Sequence, residues 1–330
     1  MANIKDKKPI VTIAIPTYNR SSYLIKAIES ALQQTYIEIE VIISNNASID
    51  NTIEELAKFN DNRLVIINHK EKINMDENWN ACLGIAKGDY FMLLSDDDYL
   101  ESTAIETFLE HFYSDDIGIV YCQTKIVDES NNTIAFSKTA PLIEPSIEML
   151  LNFLNWKREV YPCSLMFRTT DLKKLGGYNG SKYSLALDTA AWVEIAIKRG
   201  KVAYVNRVLS NYRIHNLNIG SQTKIEEWEY GLSSLILMCQ EILEKEFSKL
   251  QVDDVVKYGK KYKKRLIVSS LTSLVRKGVS RKQVLSLYFK HRSSFIGMTG
   301  MYLLLISIMK LCMPHKLFYT IKKIASSARV

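Results

Sequence analysis

The sequence predicts an α/β fold, a mostly parallel central sheet flanked by helices and followed by a helical C-terminal extension. Three observations predict it. Short β-branched apolar runs alternate with helical stretches four times in the first 100 residues, the pattern of successive βαβ units. The residues just after three of those runs are polar, as at the carboxyl ends of strands in such a sheet, where ligands bind. They are Thr17-Tyr18-Asn19-Arg20, Asn45-Asn46-Ala47-Ser48 and Asp96-Asp97-Asp98. Beyond residue 224 the pattern is wholly helical.

The first strand is the run IVTIAIP at 10–16, continuously apolar as a strand buried on both faces should be, and ended by Pro16. Leu24, Ala27, Ile28 and Ala31 recur at helical spacing across 21–33. Ile39–Ser44 is the second strand, after which Asp50 can cap a helix over 51–60. Leu64–Ile67 is the third strand, 76–86 a helix, and Tyr90–Leu94 the fourth strand, running straight into the three aspartates. The pattern then loosens: Ile117–Cys122 reads as a strand, 128–134 as a turn, 144–155 as a helix and Tyr161–Phe167 as a strand. Residues 186–199 form an amphipathic helix closed by Gly200, and Val202–Val205 a short strand. Long helices follow near 224–246, 252–276 and 280–290.

With 330 residues and 47% hydrophobic content the chain can bury a real core, and it is not disordered. Its net charge of +7 is unevenly spread. Residues 251–330 hold 17 Lys and Arg against Asp253 and Asp254, which leaves 26 bases and 34 acids, a net −8, in the first 250. A basic segment of this kind seeks nucleic acid or anionic lipid head groups. Here the bases are mixed with long apolar runs and the aromatic side chains form no stacking set, which favours the membrane over nucleic acid.

Ser293–Met309 is a run of 17 uncharged residues closed by Lys310, short of the roughly 20 that a single span needs. It reads as a monotopic segment, with Phe295, Met301–Ile306 and Phe318 in the interface and lysines on the head groups, or else as a buried helix packed on the α/β domain. Cys82, Cys122, Cys163, Cys239 and Cys312 are odd in number and lack a C-x-x-C pair, which argues against a disulfide framework or a zinc site and fits a reducing cytosol. The N-terminus carries no secretory signal pattern.

Three consecutive carboxylates repel, so at least one has a raised pKa unless a cation neutralises them. In an extended segment Asp96 and Asp98 share a face and Asp97 takes the other. Hard oxygen donors of this D-x-D kind suit Mg²⁺ or Mn²⁺ bound together with substrate phosphates. An acidic loop capping a helix that begins near Ser102 is the plainer reading.

The set IAIPTYNR at 13–20, SNNASIDNT at 44–52, AKGDYFMLLSDDDYL at 86–100, Asp188, and Tyr212-Arg213-Ile214-His215 resembles the family 2 glycosyltransferases, which have a GT-A fold. The resemblance covers roughly residues 9–220 and implies an inverting transfer from a nucleotide-diphosphate sugar. It makes 1–222 the catalytic domain, with a nucleotide-sugar half at about 9–100 and an acceptor half at about 101–222, and 223–330 a helical, basic, membrane-associating region.

By the same resemblance Asp96, Asp97, Asp98 and His215 are the metal ligands. Pro16, Thr17, Tyr18, Asn19, Arg20, Asn45, Asn46 and Asn80 hold the nucleotide sugar, with Asp96, Asp97 and Arg213 at its diphosphate. Asp188 is the catalytic base; its position before Trp192 and Ile195 also suits a helix N-cap, and one residue can serve both roles. The acceptor implied is a lipid-linked oligosaccharide of O-antigen or surface-polysaccharide synthesis. The implied location is cytoplasmic, peripheral to the inner face of the plasma membrane.

Two departures stand out. Asn45 takes the place of an aspartate that meets uracil N3–H; its oxygen can replace the carboxylate, or its NH₂ can donate to cytosine in a CDP-linked donor. The acid cluster also carries one more acid than the commoner pattern. A nucleotidyltransferase would instead place a Gly-rich basic loop after the first strand, and Pro16–Arg20 has no glycine.

Overall fold

The computed structural model describes residues 8–215, 218, 225–245, 247–276 and 280–290. Val11–Thr17 (β1), Ile39–Asn45 (β2), Leu64–Asn68 (β3) and Tyr90–Leu93 (β4) are the early strands, joined by helices Ser21–Leu32 (α1), Thr52–Leu56 (α2) and Met75–Ile85 (α3). They pair in parallel in the order β3-β2-β1-β4.

Next in the chain come Tyr99–Leu100 (β5), Ala104–Glu110 (α4), Ile117–Val127 (β6), Thr133–Phe136 (β7), Ile143–Pro145 (β8) and Ser146–Leu154 (α5). Leu165–Arg168 (β9), Thr169–Lys174 (α6), Gly180–Tyr183 (α7), Leu187–Arg199 (α8) and Lys201–Arg213 (β10) complete the mixed part. Among the described residues all ten strands join one sheet in the order β3-β2-β1-β4-β9-β6-β10-β5, with β7 on β6 and β8 on β10. The short β9 runs antiparallel to both β4 and β6, and so forms the seam between the early strands and the rest.

The period of two in a strand divides the core into two layers. Ile13, Ile15, Val41, Ile43 and Met92 face α1 and α4, whereas Ala14, Ile42, Phe91 and Leu93 face α3, α5 and α8. Every residue of β1 is buried, as its unbroken apolar run requires. Leu24, Ala27, Ile28 and Ala31 are the residues that α1 buries. Gly200, with φ +103°, closes α8 in the left-handed conformation that a side chain would strain.

Several boundaries differ from the sequence reading, each for a local reason. The first strand does not stop at Pro16, because pairing with β2 continues to Thr17↔Asn45. The helix after Asp50 spans five residues. Tyr161–Phe167 is strand only from Leu165, since Pro162–Ser164 form a 3₁₀ turn. β10 is far longer than Val202–Val205: a register shift between Val205 and Val208 turns Asn206 and Arg207 out to solvent and lets the strand continue to Arg213. The turn at Asp128 ends by 132, where Asp128 Oδ1 accepts from the backbone of Ser130 and Asn132, and β7 begins.

Ile225–Leu243 (α9), Lys249–Arg276 (α10) and Arg281–Lys290 (α11) form the helical extension. It is no appendage: Leu232, Leu235, Met238 and Cys239 of α9 and Val252 and Val255 of α10 lie in the same apolar cluster as Trp192 and Phe153. Gly231 sets how closely α9 can approach, because a Cβ there would lie 2.1 Å from the Tyr183 carbonyl oxygen. Among the described residues no helix is long and apolar enough to cross a membrane. The run Ser293–Met309, Phe318 and Cys312 lie outside the described residues.

Candidate active site

The sheet brings the ends of β1, β2, β4 and β10 to one edge. After β4 the chain turns, with Asp98 N donating to Ser95 O at 3.1 Å, so the aspartates are not extended and the expected pairing of Asp96 with Asp98 is replaced. Asp96 and Asp97 share the Arg20 guanidinium instead, each with one oxygen 2.9 Å from the same nitrogen. Asp96 also accepts from Thr17 Oγ1 at 2.8 Å. Asp97 Oδ2 lies 2.8 Å from His215 Nε2 and 3.3 Å from Asn218 Nδ2. Asp98 points towards β10, where its Oδ1 accepts from Arg213 N at 2.8 Å, and among the described residues its Oδ2 meets no geometric hydrogen-bond donor.

Arg213 Nε donates to the Asp97 carbonyl at 2.8 Å. Its guanidinium carbon lies 5.1 Å from the Tyr23 ring centre and 5.6 Å from that of Tyr99, and the His215 ring leans on Tyr23 at 4.8 Å. The three carboxyl groups are buried. Burial first, and then the charge of Asp97, push Asp96 up to about 6 and Asp98 well above the ordinary carboxyl range, while Arg20 pulls Asp96 back.

Among the described residues no group of three or more His, Cys, Asp or Glu is gathered as a ready-made metal cage. Two adjacent carboxylates and an imidazole nitrogen converging on Asp97 nonetheless fit a Mg²⁺ or Mn²⁺ site of the kind completed by substrate phosphates. Asp98 stands apart from that set.

The nucleotide-side residues are sewn together. Asn19, at φ +53°, donates its N–H to Ser48 Oγ at 2.9 Å and accepts from Ile49 N at 2.8 Å, joining the loops after β1 and β2. Asn45 Nδ2 donates to Asn68 Oδ1 at 2.9 Å, and its Oδ1 accepts from Ser48 N at 3.1 Å. Both functions weighed for its amide at a base are thus engaged within the protein. Asn46 exchanges hydrogen bonds of 2.9 and 2.8 Å with the Ile73 backbone. Pro16 and Thr17 are buried in β1, and Tyr18 is exposed, with Lys72 Nζ 4.2 Å from its ring centre. Asn80 makes a reciprocal pair with the Tyr178 backbone at 2.7 and 2.8 Å, strapping α3 to the loop before α7.

Asp188 lies in the first turn of α8, one residue inside the helix and not at its cap, where Ala186 stands. Burial raises its carboxyl to about 6, opposed by hydrogen bonding from Thr189. Its charge reaches the buried phenols of Tyr178 and, from α10, Tyr262, both of which burial has already raised. A carboxylate with a pKa near neutrality, beside the positive end of a helix, can accept a proton and hold the resulting charge balance. Asn218, Asn68 and Tyr23 were absent from the sequence expectations, and Ser48 stood there only within the polar stretch after the second strand. Each acts through a contact with no characteristic spacing, Asn218 simply following His215 by three residues.

Comparison with known proteins then adds independent evidence. The profile of glycosyl transferase family 2 matches residues 12–175. The chain is 31% identical over 215 residues to hyaluronan synthase of Pasteurella multocida, covering 64% of this chain but only 21% of that protein, so it spans about a fifth of such relatives. It is 30% identical over 207 residues to the Escherichia coli UDP-Glc:alpha-D-GlcNAc-diphosphoundecaprenol beta-1,3-glucosyltransferase WfaP, covering 62% of this chain and 78% of that one. Among solved structures it resembles S. aureus TarS 1–349 in complex with UDP-GlcNAc, with TM-score 0.61, 14% identity and coverage of 86% and 88%. It also resembles the Pyrobaculum calidifontis mannosyltransferase in complex with GDP-Man and Mn²⁺, with TM-score 0.56, 14% identity and coverage of 93% and 88%. At such identities the structures speak for the GT-A fold alone.

Proposed function

The chain belongs to glycosyl transferase family 2, and from that premise we propose that it is an inverting, metal-dependent transferase of sugars from a nucleotide diphosphate to a lipid-linked saccharide in surface-polysaccharide synthesis. One observation carries the reading. Asp96 and Asp97 meet Arg20, Arg213 and His215 at the carboxyl edge of the sheet, and Asp188, a carboxylate that burial raises to about 6, stands in the first turn of α8.

Arg20 and Arg213 supply positive charge for the diphosphate, and Tyr18, partly exposed with Lys72 over its ring, stands at the loop that would meet the base. Asp96 and Asp97, with His215, would hold Mg²⁺ or Mn²⁺, which neutralises charge developing on the leaving diphosphate. Asp188 removes the proton from the acceptor hydroxyl as its oxygen attacks the anomeric carbon from the face opposite the leaving group, and the bond to the diphosphate breaks. Asn45, Asn46 and Asn19 act by fixing the loops around the nucleotide, since their amides are bound to protein partners. The GDP-, UDP- and diphosphoundecaprenol-bearing names among the relatives support a nucleotide-sugar donor and a lipid diphosphate acceptor. The basic segment from 251 onward supports a peripheral position on the inner membrane face, in contact with anionic lipid.

The test is a side-by-side screen of UDP-, dTDP-, GDP- and CDP-sugars with short-chain lipid diphosphate saccharides, with and without Mn²⁺. Metal-stimulated transfer from one donor class, with inversion at the anomeric carbon, is the expected result. No transfer and no nucleotide-sugar binding from any class would remove the reading.

A further inference from the structure

Helix α3 is in contact with both the donor loops and the segment that carries Asp188. Positions 76 and 80 lie one turn apart on one of its faces, and position 78 lies on the other. On the donor side the buried Asn78 accepts from Ser44 Oγ at 2.7 Å, near the end of β2. The chain entering α3 is held there too, by the exchange between Asn46 and the Ile73 backbone. On the opposite face Asn80 Nδ2 donates to the Tyr178 carbonyl at 2.7 Å and Asn80 Oδ1 accepts from Tyr178 N at 2.8 Å. Asp76 Oδ2 accepts from Gly180 N at 2.9 Å.

Those last three bonds fall on the stretch 176–186, which leads straight into α8 and Asp188. The stretch is irregular, with φ of +83° at Gly176, +82° at Gly177 and +45° at Ser184, and a backbone of that kind takes its position from its partners. The fit to α3 is close. A Cβ at Gly177 would lie 2.3 Å from Asn80 Oδ1, and one at Gly180 would lie 2.7 Å from the Asp76 carboxyl carbon. The Tyr178 ring meets Trp79 edge-on at 5.1 Å, and its buried phenol is within reach of the Asp188 charge. From the other flank, Tyr230 of α9 donates its hydroxyl to the Ser181 carbonyl at 3.1 Å.

The two side chains do different work. Asn80 gives a donor and an acceptor to one residue's backbone, which an amide can do and a carboxylate cannot. Asp76 gives only an acceptor, which an asparagine would also supply.

We infer that Asp76 and Asn80 are positioning residues for transfer, holding the Asp188 segment at a fixed place relative to the donor loops that the same helix braces. Neither touches the reacting atoms. The inference rests on the glycosyl-transfer reading with Asp188 as base, and adds what sets the distance from base to donor. Misplacing a reacting group by about 1 Å costs about 10²-fold in rate, so a slack strap shows in turnover and not in donor binding.

The test uses the full chain with the nucleotide sugar and the lipid diphosphate saccharide that the donor screen selects, well below each variant's unfolding midpoint. Asn80→Ala, Asn80→Asp and Asp76→Ala should each lower kcat by about 10–100-fold with the donor Kd within about twofold, while Asp76→Asn should keep kcat within about threefold of wild type. In the two alanine variants the acid limb of the pH–rate profile, near pH 6 in wild type, should move to lower pH, because a loosened segment admits water to the Asp188 carboxyl. A mere loss of folded enzyme would leave that limb in place and would overturn the inference. If Asn80→Ala fails to fold, the Asp76→Ala and Asp76→Asn pair decides alone. Unchanged kcat in variants of a wild type that transfers sugar, or a donor Kd that weakens as much as kcat falls, would also overturn the inference by itself. A wild type that transfers no sugar would overturn the reading beneath it.

Discussion

Asp188→Asn should abolish transfer and stabilise the fold. Burial raises this carboxyl from its ordinary 3.8 to about 6, so the folded protein holds the protonated form more easily than the unfolded chain does. A raised pKa contributes stability that is fully present below the unfolded value and is lost as pH rises through the folded one; at neutral pH the ionised group therefore burdens the fold. A shift of about two units corresponds to a ceiling of about 3 kcal/mol, and partial exposure of the side chain reduces this to about 1–3 kcal/mol. Asparagine has nearly the same shape and no charge, so it relieves the burden. Denaturant unfolding of wild type and variant at pH 7.5 and pH 4.5 measures the difference, which should be clear at the higher pH and fade towards the lower. Removal of the base should lower turnover by about 10²–10⁴-fold with donor affinity retained. A variant that is active, or that is less stable than wild type at pH 7.5, would refute the reasoning.

Transfer by the wild type should lose about tenfold in rate per pH unit below about 6, as Asp188 takes up its proton, and the limb should be missing from donor binding; a flat profile down to pH 5 excludes the residue as base. Arg158→Ala strands Glu144, which is 3% exposed, and should cost about 3–5 kcal/mol in denaturant unfolding, with Glu144→Gln in the same chain recovering much of it. Gly177→Ala should cost at least about 1–2 kcal/mol, because φ is +82° and the new Cβ would lie 2.3 Å from Asn80 Oδ1, breaking the strap between α3 and the loop before α7; an unchanged unfolding midpoint would show that the strap is slack.

The early half of the fold was legible because a strand buried on both faces must be continuously apolar, as Ile13–Ile15 and Val41–Ile43 are, and because α1 shows its buried stripe openly. β10 was cut short in the reading because Asn206 and Arg207 interrupt its apolar run at a bulge, which only the pairing with β6 reveals. The polar edge of the sheet was legible too, since Asp96–Asp98 follow the fourth strand directly. Which acid does what was not, because one turn from Ser95 to Asp98 sends Asp98 to Arg213 and leaves Asp97 to gather Arg20, His215 and Asn218. The amides of Asn45, Asn46 and Asn80 looked like ligand contacts in the sequence and have protein partners in the fold. The strap from α3 was hidden because its partners, Asn80 and Tyr178, lie 98 residues apart in the chain.

Calorimetric titration of the donor chosen by the nucleotide-sugar screen, in Mn²⁺ and again in chelator, on wild type and on Asp96→Asn/Asp97→Asn, addresses the acid turn itself. Wild type should bind at least tenfold more tightly with the metal, and the double variant should bind weakly and equally in both conditions. Equal wild-type affinity with and without metal, undiminished by the double substitution, would contradict the assignment of that turn to the sugar diphosphate.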